Sequence, residues 1–167
     1  MEELFKELER IEKITNYLNA VRFEFGIFDE DGNQEETISV YNLDGTVSTE
    51  KMKLAEIMYL TEKGTITIPA KPILRRIFQK INYEMPEFLT DIFNKIREEN
   101  WGTTQIRDRM QWFNTRINTF FIPTAITEIL ASDNVISGLL GEEEEQKYTY
   151  DLRKLKKFIK SKVFFTF

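Results

Sequence analysis

Two prolines three residues apart, Pro69 and Pro72, constrain the fold of this chain more than any other feature. A proline fixes its own φ near −65° and pushes the residue before it out of the helical region, so the chain must approach Pro72 extended. Pro72 itself suits the first turn of a helix. The residues that follow, Ile73, Leu74, Ile77, Phe78 and Ile81, recur at helical spacing and predict a buried helix that opens there. Pro86 is expected to end or kink it. Phe88, Leu89, Ile92, Phe93 and Ile96 then repeat the pattern as far as Asn100 and Gly102.

Other segments show their own periods. Residues 2–19 set Leu4, Leu8, Ile11 and Leu18 on one stripe, with Phe5 and Ile14 beside it and charge elsewhere, which predicts an amphipathic helix. From 21 to 28 the period falls to two: Val21, Phe23, Phe25 and Ile27 alternate with Arg22, Glu24 and Gly26, as in a strand. Asp31-Gly32 is a turn pair, and Ile38, Val40 and Leu43 continue as a second strand ended by Asp44-Gly45, so a hairpin with an acidic loop is expected. Ser48 or Thr49 is placed to cap a helix from about residue 50 to Thr61, carrying Met52, Ala55, Ile57, Met58 and Leu60, with Gly64 as its stop.

Thr65 to Ile68 is expected to be short and extended. Thr103 or Thr104 opens another helix with Ile106, Met110, Phe113 and Ile117 on one face, and Pro123 begins a shorter one through Ala125, Ile126, Ile129 and Leu130. Gly138, Gly141 and the run Glu142–Glu145 predict an exposed loop, and Tyr148 and Tyr150 a strand. Leu152, Leu155 and Ile159 mark a short basic helix, and Val163–Phe167 a last strand. The sum is an α+β fold: a small, mainly antiparallel sheet packed by several helices, including a long central helix after the Pro-x-x-Pro segment. With 167 residues and no Gly/Ser- or Pro-rich linker, residues 1–167 are expected to form a single domain.

Composition narrows the function. Histidine and cysteine are both absent, which removes imidazole bases, thiol nucleophiles, disulfides and His- or Cys-ligated metals together. Any chemistry would need carboxylates, Lys, Tyr or a hard cation held by oxygen ligands, which removes most enzyme classes, and no enzyme activity or cofactor is expected. The formal charge of −5 argues against a general nucleic-acid binder. No apolar run is long enough to span a bilayer, and Glu2 and Glu3 stand where a secretory signal would carry basic residues, so synthesis in a cytoplasm and no membrane partner are expected.

Four charged groups invite a functional interpretation and have a plainer one. Asp29-Glu30-Asp31-Gly32-Asn33 looks like a calcium loop, but Gly32 falls fourth after Asp29 where an EF-hand needs it sixth, so a solvated turn is expected. Asp91 and Asp108 could belong to a carboxylate-held magnesium site, as in some nucleases, yet nothing in their spacing links them, and no metal ligand is assigned. Arg153, Lys154, Lys156, Lys157, Lys160 and Lys162 form a basic cluster that could touch DNA or an acidic partner surface, but a solvated face is its plainer role. The acidic run Glu142–Glu145 is likewise expected to be a solvated loop.

The segment Ile68-Pro69-Ala70-Lys71-Pro72-Ile73-Leu74-Arg75 follows, in order, a strand ending Phe25-Gly26-Ile27, a helix containing Leu54-Ala55-Glu56-Ile57, and Glu62-Lys63-Gly64. This succession resembles the tail-completion and virion-morphogenesis family of long-tailed bacteriophages. That family shows a hydrophobic-Gly-Ile/Phe step, a helix ending Glu-aromatic-Gly, and an Ile-Pro-x-Arg-Pro-Phe-hydrophobic segment opening a long helix. Gly26, Glu62, Gly64, Ile68, Pro69, Pro72 and Leu74 match; Lys63, Lys71 and Ile73 depart from the usual aromatic, Arg and Phe. The match covers roughly residues 4–82, taken as a family-like core, with 83–167 as a helical extension carrying a C-terminal strand.

The resemblance implies a non-catalytic protein of the virion neck, a subunit of a ring of six copies. Its partners would be itself, the head connector, and the tail terminator or tail-tube proteins, with genome DNA passing through without tight binding. Residues Ile68, Pro69, Ala70, Lys71, Pro72, Ile73, Leu74 and Arg75 would carry the subunit or partner interface. Close alternatives are a tail-terminator ring protein, a cytoplasmic adaptor docking peptides or helices on its aromatic surface, and, last, a carboxylate-metal nuclease.

Overall fold

The structure of the chain, a computed structural model, describes residues 1–42, 44–64, 70–130, 135–137 and 147–166, with the backbone alone at 135–137 and 147–149. Helix α1 (Glu2–Asn19) leads into strand β1 (Val21–Gly26), a single helical turn α2 (Asp29–Gly32), and strands β2 (Glu35–Tyr41) and β3 (Val47–Lys53). Helices α3 (Leu54–Lys63), α4 (Ile73–Glu98) and α5 (Thr103–Arg116) follow. A π-helical turn (Ile117–Phe121) joins α5 to α6 (Ile122–Ile129). Strands β4 (Val135–Ser137) and β5 (Lys147–Asp151), a 3-10 turn (Leu152–Lys157) and β6 (Lys160–Phe165) complete the order. The α+β class and the long helix after Pro72 are as the sequence predicts.

The strand pairing is not. β1 does not form a hairpin with β2; it pairs antiparallel with β6, Val21 opposite Phe165 and Gly26 opposite Lys160. β2 lies inside a second antiparallel sheet of order β3-β2-β5-β4. Gly26 takes a φ of 145°, and the acidic residues after it wind into a helical turn that turns the chain away from β1. Their charge is balanced across the fold: Lys160 reaches Asp31 at 2.9 Å and Lys162 reaches Glu30 at 2.5 Å. The acidic segment therefore anchors β6, and two of the six cluster cations are already engaged there.

The hairpin forms instead between β2 and β3. Asp44 accepts from the backbone and hydroxyl of Thr46 (2.9 and 2.5 Å), and Gly45 supplies a φ of 82°. The helix expected from residue 50 accordingly starts at Leu54, with Glu56 accepting from the Lys53 N–H. Residues 47–53 are an edge strand with only Met52 buried, so they carry no two-residue period to read. The expected strand residue Leu43 and the extended segment Thr65–Ile68 lie outside the described residues, as does the loop Gly138–Glu145.

Helix α4 is one 26-residue helix, with Pro86 inside it and no end there. Its core stripe, Ile73, Ile77, Ile81, Phe88 and Ile92, keeps phase across the proline. Pro86 and Asn82, whose carbonyl loses its helical donor, are both exposed, so water can satisfy the orphaned group. Phe78 and Phe93, expected in the core, are about half exposed. The boundary drawn at residue 82 falls within α4, and both sheets take strands from either side of it.

Phe113 is the hub of the core. Its ring stacks on Phe88 of α4 at 4.2 Å and meets Phe23 of β1 and Phe121 of the π turn edge-on, at 5.6 and 6.0 Å. The π turn also turns Asn118 toward β6. Its amide donates to the Ser161 carbonyl at 2.9 Å and accepts from the Ser161 N–H at 2.8 Å, standing in for a neighbouring strand.

Candidate functional site at the start of the long helix

Helix α3 ends at Gly64, whose φ of 71° is open to glycine at little cost. Nine residues later in the chain α4 begins, and the two ends meet. The Lys71 N–H donates to the Thr61 carbonyl at 2.8 Å, which pins the approach to α4 against the last turn of α3. Pro72 occupies the N-cap position of α4 and has no side chain able to accept from the first turn. Glu62 supplies that function from α3: its carboxylate accepts from the backbone N–H of Leu74 and also from that of Arg75. Ile73 N–H finds the Lys71 carbonyl at 2.9 Å and Arg76 N–H the Pro72 carbonyl at 3.0 Å, so each of the first four helical donors has an acceptor.

Burial pushes the Glu62 carboxyl above its ordinary range, and the two backbone donors pull the other way less strongly. Farther along, Glu128 of α6 accepts from Arg76 at 2.7 Å and Lys80 at 2.8 Å, which fixes the first turns of α4 from a second side.

The expected interface residues divide sharply. Ile68 and Pro69 lie outside the described residues. Ile73 is fully buried and Leu74 packs against the core, so both serve the fold. Pro72 and Lys71 are half-buried, and Ala70 and Arg75 are exposed. The exposed part of the segment is thus Ala70 and Arg75, with Lys71 and Pro72 half-buried between them. The role of Glu62 as a cap from outside the helix was not legible beforehand, because ten residues separate it from the helix it caps.

The other charged candidates separate. Asp91 pairs with Arg109 at 3.6 Å, and Asp108 is on the next helix apart from it; no group of acidic residues able to hold a metal ion occurs among the described residues. Arg153 is paired with Asp151 at 2.8 Å, leaving Lys154, Lys156 and Lys157 exposed on the 3-10 turn. No helix among the described residues is long and apolar enough to cross a membrane.

The fold and this joint define a small α+β protein with a long helix clamped at its start by the preceding helix. Comparison of the chain with protein-family models, with curated proteins and with solved structures found no match.

Proposed function

We propose that this chain is a structural, non-catalytic subunit of the neck of a long-tailed bacteriophage, acting in tail completion or head-tail joining as one copy of a six-membered ring. What supports the reading is that the matched residues mark the two ends of one joint: Gly64 ends α3, Pro72 opens α4, and Glu62 of the first accepts from the backbone of Leu74 in the second. That joint holds Arg75 outward at the start of a stiff helix, with Lys71 beside it. In this role the head connector and a tail-terminator or tail-tube protein are the neighbours, and the duplex passes through without tight binding. Charge agrees with that: of the six cluster cations, Arg153, Lys160 and Lys162 are already neutralised by carboxylates. A place as the tail-terminator ring itself is the nearest variant.

The test is the double variant Lys71→Glu/Arg75→Glu. It is expected to fold normally, checked by circular dichroism and thermal unfolding, and to reduce the yield of joined heads and tails at least tenfold. Joining at the normal yield removes the segment from the interface. The adaptor reading draws on one observation, the exposed Tyr83, Trp112 and Phe120 along α4, α5 and the π turn, with Arg109 stacked 3.9 Å above Trp112. A protein that stays monomeric and is missing from purified virions would favour it.

A further inference from the structure

The first three turns of α1 touch the body along one side only, through Arg10 and a cleft that Glu9, Glu12 and Lys13 share with Thr103, Thr104 and Arg107 of α5. Residues 2–9 and 11–13 are all exposed, and between them Arg10 reaches back, donating to the carbonyls of Ile96 at 3.0 Å and Trp101 at 3.3 Å. Leu4, Phe5, Leu8 and Ile11 are 58, 58, 51 and 49% exposed, an apolar stripe with no cover among the described residues. A helix of this length is marginal in water without an apolar partner. At 100° per residue Glu7 and Glu9 flank the stripe on either side and Glu12 falls within its arc between Leu8 and Phe5, while Glu3, Lys6 and Lys13 lie away from it; Glu7 is paired with Arg10 at 2.7 Å.

These carboxylates decide what can cover the stripe. A second α1 laid stripe to stripe would set acid against acid, and an anionic membrane would repel it in the same way. The cover must be apolar at its centre and basic at its edge. The 3-10 turn Leu152–Lys157 supplies the basic part: Arg153, Lys154, Lys156 and Lys157 line a shallow depression whose apolar surface is that of their own aliphatic stems, Leu152 and Leu155 being buried beneath. Lys154, Lys156 and Lys157 form no ion pair among the described residues.

One chain cannot bring these two surfaces together. The exposed half of α1 lies by Ile96, at the end of α4. The 3-10 turn packs on α6, whose Glu128 is tied to Arg76 and Lys80 near the beginning of α4. Lys80 and Ile96 are separated by roughly 24 Å of helix axis. The contact is therefore between copies and joins unlike surfaces, the arrangement that closes into rings.

We propose that the exposed half of α1 docks, stripe inward, on the basic turn Leu152–Lys157 of a second copy of this chain. For its closure into a ring, though not for the contact itself, this rests on the neck assignment above. The chain has no cysteine, so single-cysteine variants report the contact directly. Phe5→Cys and Lys156→Cys, both at exposed positions, are mixed in equal amounts under oxidising conditions and the disulfide-linked products are counted by mass. Mixed dimers are expected to exceed both homodimers several-fold. A statistical mixture, an excess of the homodimer of the Phe5→Cys variant, or no cross-linking overturns the proposal.

Charge reversal is the second arm. Lys154→Glu/Lys156→Glu/Lys157→Glu is expected to weaken self-association in sedimentation at least tenfold. Adding Glu7→Lys/Glu9→Lys/Glu12→Lys on the partner copy should restore it. Loss without rescue, or no loss, counts against the contact. Specific cross-linking by a protein that is missing from virions would keep the contact and overturn the neck assignment. A neck ring without the cross-link would do the reverse.

Discussion

Glu62 works against its own solvation. Its carboxylate caps the first turn of α4, yet burial raises its proton affinity above that of the same group in the unfolded chain. A carboxyl whose folded pKa is raised gives its full contribution to stability below its unfolded pKa and loses it as pH rises through the folded value. Stability is therefore expected to carry a downward component above about pH 4, levelling off once Glu62 is ionised in the folded protein. Glu62→Gln keeps an acceptor oxygen and removes the titration. In urea unfolding from pH 4 to 8 its stability relative to the parent should rise with pH, and a flat difference would show that the carboxyl is not desolvated. Glu62→Ala, which orphans the helical donors, should cost about 1–2 kcal/mol at either pH.

Among the elements, α4 shows most clearly how packing overrules a local signal. Pro86 removes one backbone donor and crowds the Asn82 carbonyl, which in a free helix costs roughly 3 kcal/mol. Here the core stripe on either side holds the axis, and both affected residues face water. Pro86→Ala should restore the missing bond without touching the core, raising unfolding stability by about 1–3 kcal/mol. Denaturant unfolding measures this. A loss of stability would mean that the proline sets a bend on which the packing of α4 depends. Edge strand β3 shows the opposite case. Glu50, Lys51 and Lys53 could equally sit in a helix, and the Asp44-Gly45 turn commits them to β2.

Across the molecule, the two ends of the chain are held together by β1 with β6 and by Tyr17 stacked on Phe165, while the aromatic cluster centred on Phe113 joins β1 to the long helix and the π turn. Phe113 touches a strand, the long helix and the π turn at once, so its loss should be felt everywhere and not in one layer. Phe113→Ala is expected to cost about 3–5 kcal/mol, with far- and near-ultraviolet circular dichroism melting together. Tyr83→Ala, at a site 87% exposed, should change stability by less than about 0.5 kcal/mol. Separate transitions for the two signals in the Phe113 variant would mean that the long helix and the sheets unfold independently.

What could be read from residue order was whatever short-range physics sets. The 3.6-residue stripes of α1, α4 and α5, the two-residue period of β1, the stop at Gly64 and the opening at Pro72 all follow from backbone sterics and local burial pattern. The segment that opens α4 stood out in the same way, since two prolines act within their own neighbourhood. Pairing and exposure did not follow. β1 could close on β2 or on a strand more than a hundred residues away, and long-range ion pairs from Glu30 and Asp31 to Lys162 and Lys160 favour the latter. Nor could the stripe of α1 announce that Leu4, Phe5, Leu8 and Ile11 would be about half exposed, or Glu62 that it would cap a helix beginning beyond two prolines. Periodicity records which side of an element is apolar; which partner meets that side depends on where the rest of the chain comes to lie.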